Sequence, residues 1–199
     1  MRNDIVVGVA PSVRVLDQYN NPVLSGPSVS VTASVTGSNS SDISAISGNT
    51  ATTTSGTELV SLPNLKLKGK VSDYVIRMTG SVSGNSFTIN SSPVALTFGL
   101  PSQLAITRDA AGARAGLAFE TQPRIAVRDN SNNLVADSTL RVTATVSGRT
   151  LVGTSAVTAS GGVASFADLG ISGAAATGLV IRFVAAVSYT HLRAHETKA

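Results

Sequence analysis

Residues 11–37 read PSVRVLDQYNNPVLSGPSVSVTASVTG, and residues 123–148 read PRIAVRDNSNNLVADSTLRVTATVSG. Pro11 aligns with Pro123, Val15 with Val127, Asp17 with Asp129, and Asn20-Asn21 with Asn132-Asn133. After a one-residue gap, Val31-Thr32-Ala33 meets Val142-Thr143-Ala144, and Gly37 meets Gly148. Further along, LPNLKLKG from Leu62 meets FADLGISG from Phe166, and Ile76-Arg77-Met78 meets Ile181-Arg182-Phe183. Matches that keep their order along both copies indicate an internal repeat. The chain therefore reads as two copies of one domain within 199 residues.

Within each copy the local pattern is that of short strands. SVRVL and RIAVR, then VSVTASV and RVTATV, alternate with period 2 and are rich in Val, Ile and Thr, which suit a half-buried pleat. Between them DQYNNP and DNSNN read as turns. Asn tolerates the left-handed backbone region there, and Asp can bond amides just downstream. Further strands are expected at Glu58–Pro63, Tyr74–Thr79, Phe87–Phe98, Gln103–Arg108, Gly162–Ala167 and Leu179–Val184. The Ser/Thr/Gly/Asn-rich stretches Gly37–Gly56 and Ser147–Gly161 read as long connections, each with room for a weak strand. No segment sustains a helical period. The pattern predicts an all-β chain of two tandem Greek-key β-sandwiches.

The junction is Phe98-Gly99-Leu100-Pro101-Ser102, too short for a flexible spacer, so the copies are expected to sit end to end in a stiff rod. The expected boundaries are 1–99 for the first repeat and 100–186 for the second. Copying the Phe87–Phe98 strand forward places its counterpart beyond residue 186, and copying Gln103–Arg108 backward places its counterpart at or before Met1. Each domain is thus expected to lack one terminal strand, and an uncovered strand edge is an aggregation template.

Residues 187–197, VSYTHLRAHET, break from this pattern and hold both histidines, His191 and His195. The string resembles the translated bases of a transposase adapter used in sequencing libraries, which implies that residues 187–199 are a non-native tail and that the natural sequence runs on from near Ala186. The rival reading is a metal or acid–base pair of histidines four apart on one helix face, but no companion motif accompanies it.

Composition narrows the function. The chain is 42% hydrophobic, 13% charged and 4% aromatic, with no Cys and no Trp. There is no apolar run of about 20 residues to span a membrane, and the first residues lack a signal peptide's apolar core. The formal charge of +4 arises from 15 basic and 11 acidic residues. The densest basic run, Lys66, Lys68 and Lys70, reads as the solvated face of a strand whose other face carries Leu65 and Leu67, with a polyanion-binding stripe as the alternative. Without interleaved aromatics to stack bases, nucleic acid is not an expected partner.

The pattern Pro-x-Val-x-Val-x-Asp-x-x-x-Asn-x-Val, then Val-Thr-Ala-x-Val, then Ser-Gly-Gly-Val-Ala-Ser-Phe-x-x-Leu-x-Ile-x-Gly resembles bacterial immunoglobulin-like repeats of the invasin/intimin type. In this chain it is carried by Pro123 to Val135, Val142 to Val146 and Ser160 to Gly173, while the first copy has Leu62 for Phe166 and Asn64 for Asp168. Asn20 and Asn132 stand where the family usually has Gly. The resemblance implies immunoglobulin-like sandwiches in a large extracellular or cell-surface bacterial protein, with neighbouring repeats as partners and a host-surface or polysaccharide ligand open.

Catalytic chemistry finds little to work with. Residues 1–186 contain no His or Cys, so neither a Ser-His-Asp triad nor a thiolate nucleophile can be assembled from them. The acids are scattered singly, with no D-x-D-x-D run for calcium. The recurring Asp17 and Asp129 are read as turn caps, with one ligand of a loop calcium site as the alternative. The recurring Arg77 and Arg182 are read as strand arginines whose stems cover apolar surface, with a receptor contact as the alternative. No catalytic, cofactor-binding or metal residue is assigned, and no cofactor is expected. The expected function is a non-catalytic structural and adhesive module of a bacterial surface stalk. The alternative is an accessory module of a secreted polysaccharide-active enzyme, which the scarcity of aromatics disfavours.

Overall fold

A computed structural model describes residues 1–53, 58–82, 84–174 and 177–186. His191, His195 and the rest of 187–199 lie outside the described residues. The chain is all-β: apart from one 3-10 turn at Ser40–Asp42, the regular structure of the described residues consists of strands. It divides into two compact units, one of Met1–Leu100 with Asp129–Asn133 and one of Pro101–Arg128 with Leu134–Ala199.

The first unit contains β1 (Ser12–Arg14), β2 (Ser30–Thr36), β3 (Ile43–Ser47), β4 (Thr50–Thr52), β5 (Leu59–Ser61), β6 (Lys66–Gly69), β7 (Ser72–Val82), β8 (Asn85–Asn90) and β9 (Val94–Leu96). One sheet runs β4-β2-β7-β8, with β9 pairing the start of β7; β1 pairs β5, and β3 pairs β6. Its core is a sandwich filling, contributed on one side by Val15, Val60, Leu62, Leu65 and Leu67 and on the other by Val31, Ala33, Tyr74, Ile76 and Met78. The period-2 alternation explains the burial: Val31 and Ala33 of β2 point in while Ser30, Thr32 and Ser34 point out. Tyr74 is buried near the start of β7, and its hydroxyl donates to Lys70 O at 2.9 Å, which satisfies the one polar atom it carries inward. Burial, and then the negative charge of Asp42, push the Tyr74 hydroxyl above its ordinary pKa.

The second unit contains β10 (Gln103–Arg108), β11 (Arg124–Arg128), β12 (Arg141–Val146), β13 (Thr150–Val152), β14 (Ala156–Thr158), β15 (Val163–Ser165), β16 (Gly170–Ser172) and β17 (Ile181–Ala185). Its sheets run β10-β11-β15, β14-β12-β17 and β13-β16. Ile125, Val127, Val142, Ala164, Phe166 and Leu169 are buried, and Phe166 meets Phe183 at 5.5 Å between ring centroids. The registers of the two units correspond. Val13 opposite Val60 and Val31 opposite Gly80 have counterparts in Ile125 opposite Ala164 and Val142 opposite Ala185. Ile46 opposite Leu67 has its counterpart in Leu151 opposite Ile171. Gly48 and Gly153, both at positive φ, lie against the backbone carbonyls of Asn64 and Asp168, where a side chain would collide.

Several local expectations change. The Phe87–Phe98 stretch is two strands rather than one. Arg77 faces Asn90, but Tyr74 faces Val94, so one extra residue sits on the β8–β9 side. Ser91 takes up the slack: its hydroxyl accepts the Ile76 N–H, its own N–H donates to Ile76 O, and Pro93, with no N–H, follows. The weak strands allowed for in the long connections are β3 and β4 in one unit and β13 and β14 in the other. Val13, Val35, Val146 and Ile181, which the alternation of their strands turns inward, are only half-buried. Val13 borders an open groove, and the last two face each other where β12 ends and β17 begins. Lys66 and Lys68 are half-buried rather than fully solvated, while Leu65 and Leu67 are buried as the alternation requires.

Candidate functional site

The residues that recur in sequence form two turns of the same construction. In the first, Asp17 Oδ1 accepts the N–H of Tyr19 at 2.8 Å and of Asn21 at 2.9 Å. Asp17 N–H donates to Asn21 O, and Asn20 N–H donates to Asp17 O. The second repeats this bond for bond: Asp129 Oδ1 accepts from Ser131 N–H at 2.8 Å and Asn133 N–H at 2.9 Å, and the backbone bonds between Asp129 and Asn133 are the same. Asn20 and Asn132 both have φ of 65°, the left-handed conformation that Asn tolerates better than other side chains. An Asn in this conformation therefore serves both turns.

The surroundings differ. Asp17 and its neighbours are exposed. The backbone N–H of Asn21 and then its side-chain amide hold the Asp17 carboxyl below the ordinary value. Asp129 is 1% exposed, packed within the first unit. Its Oδ2 accepts from the Asn3 side chain at 2.8 Å and the Gly99 N–H at 2.7 Å, and the Asn133 amide reaches both oxygens. Burial alone would raise this carboxyl. The donors from Asn3, Gly99 and Asn133 outweigh it and bring the pKa to about 2. Asn133 extends the network by donating to Gly69 O and accepting from Val71 N–H, and Asn3 accepts the Gly69 N–H. Asn3 was not flagged by the sequence, because nothing in its spacing distinguishes it from a solvated asparagine.

The partners of both carboxylates are N–H donors, the opposite of what a cation needs. Among the described residues no three His, Cys, Asp or Glu side chains converge to hold a metal. Other acids are engaged likewise: Asp168 accepts from Thr154 N–H and Oγ1, Glu58 pairs with Arg14 at 3.4 Å, and Glu120 with Arg114 at 2.9 Å. Arg77 is exposed, with Nε donating to Asn90 Oδ1 at 3.2 Å across the β7–β8 pair, and Arg182 is exposed on β17. Lys70 Nζ donates to Ser131 O at 3.2 Å. The last lysine of the run therefore meets the second turn, whereas Arg77 lies on β7 and Arg182 on β17.

Each unit also carries an apolar groove. In the first, an open groove of about 520 Å³ lies between Ser12–Arg14 and Leu16 on one side and Met78, Gly80 and Phe87–Ile89 on the other, with Val31 also lining it. Gly80 faces Phe87 across the strands, and a Cβ there would run into the ring, so the glycine lets the Phe87 ring lie over β7. In the second unit a groove of about 290 Å³ lies among Pro101–Leu104, Val127, Leu140 and Phe183–Ala185. No helix among the described residues is long and apolar enough to cross a membrane.

No family model matches the chain, and no curated protein matches it. Among solved structures, the chain is similar to the crystal structure of Parabacteroides merdae β-glucuronidase, with 12% identity over 81% of this chain and a TM-score of 0.26. The chain spans about a fifth of that protein's length, 21%.

Proposed function

We propose that the chain is a pair of immunoglobulin-like modules from an extracellular bacterial surface protein, with a structural and adhesive rather than catalytic role. The observation that carries this reading is the fate of the recurring acids: Asp17 and Asp129 each use Oδ1 to accept two N–H groups of their own turn. A carboxylate used this way holds a connection in shape. The immunoglobulin-like assignment is supported by the strand order and by Tyr74, whose hydroxyl bonds the backbone four residues upstream at the start of β7, as in the tyrosine corner of that fold. The fold alone does not set function, and the sequence resemblance supplies the surface context.

Force spectroscopy on the chain held between handles tests the load-bearing role. Extension should give discrete unfolding peaks, each releasing roughly 25–35 nm of chain for a unit of this size, and purified protein should turn over no glycoside or ester substrate. A chain that extends without peaks contradicts the reading. So does hydrolysis that is abolished by neutralising a single acid.

A further inference from the structure

The outer edge of β1 carries backbone groups that its pairing with β5 does not use. β1 pairs β5 through Val13 and Val60. Leu62 N–H donating to Pro11 O, and Val15 N–H donating to Glu58 O, place Pro11, Val13 and Val15 on the bonded side. Antiparallel pairing alternates, so the N–H and C=O of Ser12 and Arg14 are directed away from β5. Among the described residues no strand pairs that side of β1. The 520 Å³ groove runs beside it, and three of its apolar side chains, Leu16, Phe87 and Ile89, are 44%, 46% and 61% exposed. An uncovered edge next to an apolar groove is the arrangement that accepts an added strand.

The second unit shows what kind of strand fits. β11 corresponds to β1 in sequence and in its pairing with β15, and its other edge is covered by β10. Gln103 faces Arg128, Leu104 faces Val127, Ala105 faces Ala126 and Ile106 faces Ile125. Ser102 N–H continues the ladder to Arg128 O. Carried over by the repeat, those partners become Leu16, Val15, Arg14 and Val13.

The geometry points to the groove beside β1 as a docking site for an extended polypeptide segment of the β10 type, antiparallel to Ser12–Leu16 and with its apolar side chains toward Val31 and Met78. The backbone of Ser12 and Arg14 supplies the affinity, and the shape between Phe87, Ile89 and Met78 selects an alternating sequence with modest apolar side chains. This gives the first unit a partner surface beyond the structural role proposed above.

The probe is a labelled synthetic peptide with the sequence of residues 101–109, PSQLAITRD, added to the whole chain. Saturable binding is expected, with amide-exchange protection appearing at Ser12 and Arg14, and a scrambled peptide should bind about tenfold more weakly or worse, because its apolar side chains no longer alternate into the groove. Ile89→Lys, at a position exposed enough to keep the fold, should weaken binding by a similar factor. The proposal is overturned if the folded chain does not saturate, if the scrambled peptide binds equally well, or if Ile89→Lys has no effect. It is equally overturned if protection falls on β17, if an apolar dye fills the groove while the peptide does not, or if the edge proves to be taken by a second copy, seen as concentration-dependent association that Ile89→Lys abolishes.

Discussion

The turns at Asp17–Asn21 and Asp129–Asn133 share their hydrogen bonds and their left-handed Asn, yet one lies open to water and the other holds a carboxylate that is 1% exposed. The local sequence, Asp followed three and four residues later by Asn, is enough to set the shape of the turn. It does not set the environment. Asp129 gains Asn3 and Gly99, 126 and 30 residues away in sequence, and those donors change a solvent-facing cap into a buried anion with every oxygen occupied. A recurring residue can therefore keep one geometric role while its energetic weight differs between copies.

The largest expected effect comes from removing the buried member. Asp129→Ala leaves the Asn3 and Asn133 amides and the N–H groups of Gly99, Ser131 and Asn133 short of an acceptor, and should destabilise the first unit by roughly 2–4 kcal/mol in denaturant unfolding. Asp17→Ala should cost clearly less, since water replaces the lost acceptor. Equal losses would break the comparison.

The pH dependence sharpens it. The Asp129 pKa is about 2 when folded, depressed from about 3.9 in the unfolded chain. A depressed folded value means stability is fully present above the unfolded pKa and is lost as pH falls through the folded one. On the order of 2 kcal/mol should disappear from the first unit between about pH 4 and pH 2, and Asp129→Asn should remove most of that dependence. A wild-type profile that is flat over this window would contradict the network.

Smaller and equal effects are expected where the turns are alike. Asn20→Ala and Asn132→Ala each place a Cβ-bearing residue without a compensating side chain at φ of 65°, at about 1 kcal/mol apiece. The same change to Gly should be nearly neutral. Calcium at millimolar concentration should shift neither melting transition, because the oxygens of both aspartates already take N–H donors.

Much of this was legible in the sequence. The alternation in VSVTASV and RVTATV specified β2 and β12 and their buried valines, and the D-x-x-N-N pattern specified both turns. What escaped was whatever depends on distant partners. The break between β8 and β9 depends on Ser91 meeting Ile76, which no local pattern announces. Gly80 reads as a weak point in a strand until Phe87 is found lying over it. The half-burial of Val13 reflects the groove beside it rather than its own alternation. Asn3 lies at the start of the chain, far in sequence from the loop that gives it a role.

The most direct measurement is the NMR titration of the two carboxyl groups, Asp17 and Asp129, with and without calcium. The account expects Asp129 to stay ionised down to about pH 2, Asp17 to titrate below its ordinary value, and neither curve to move with calcium. An Asp129 that titrates at or above the ordinary value would show that burial outweighs the donors. A curve displaced by calcium would show that the turns are ligand sites rather than caps.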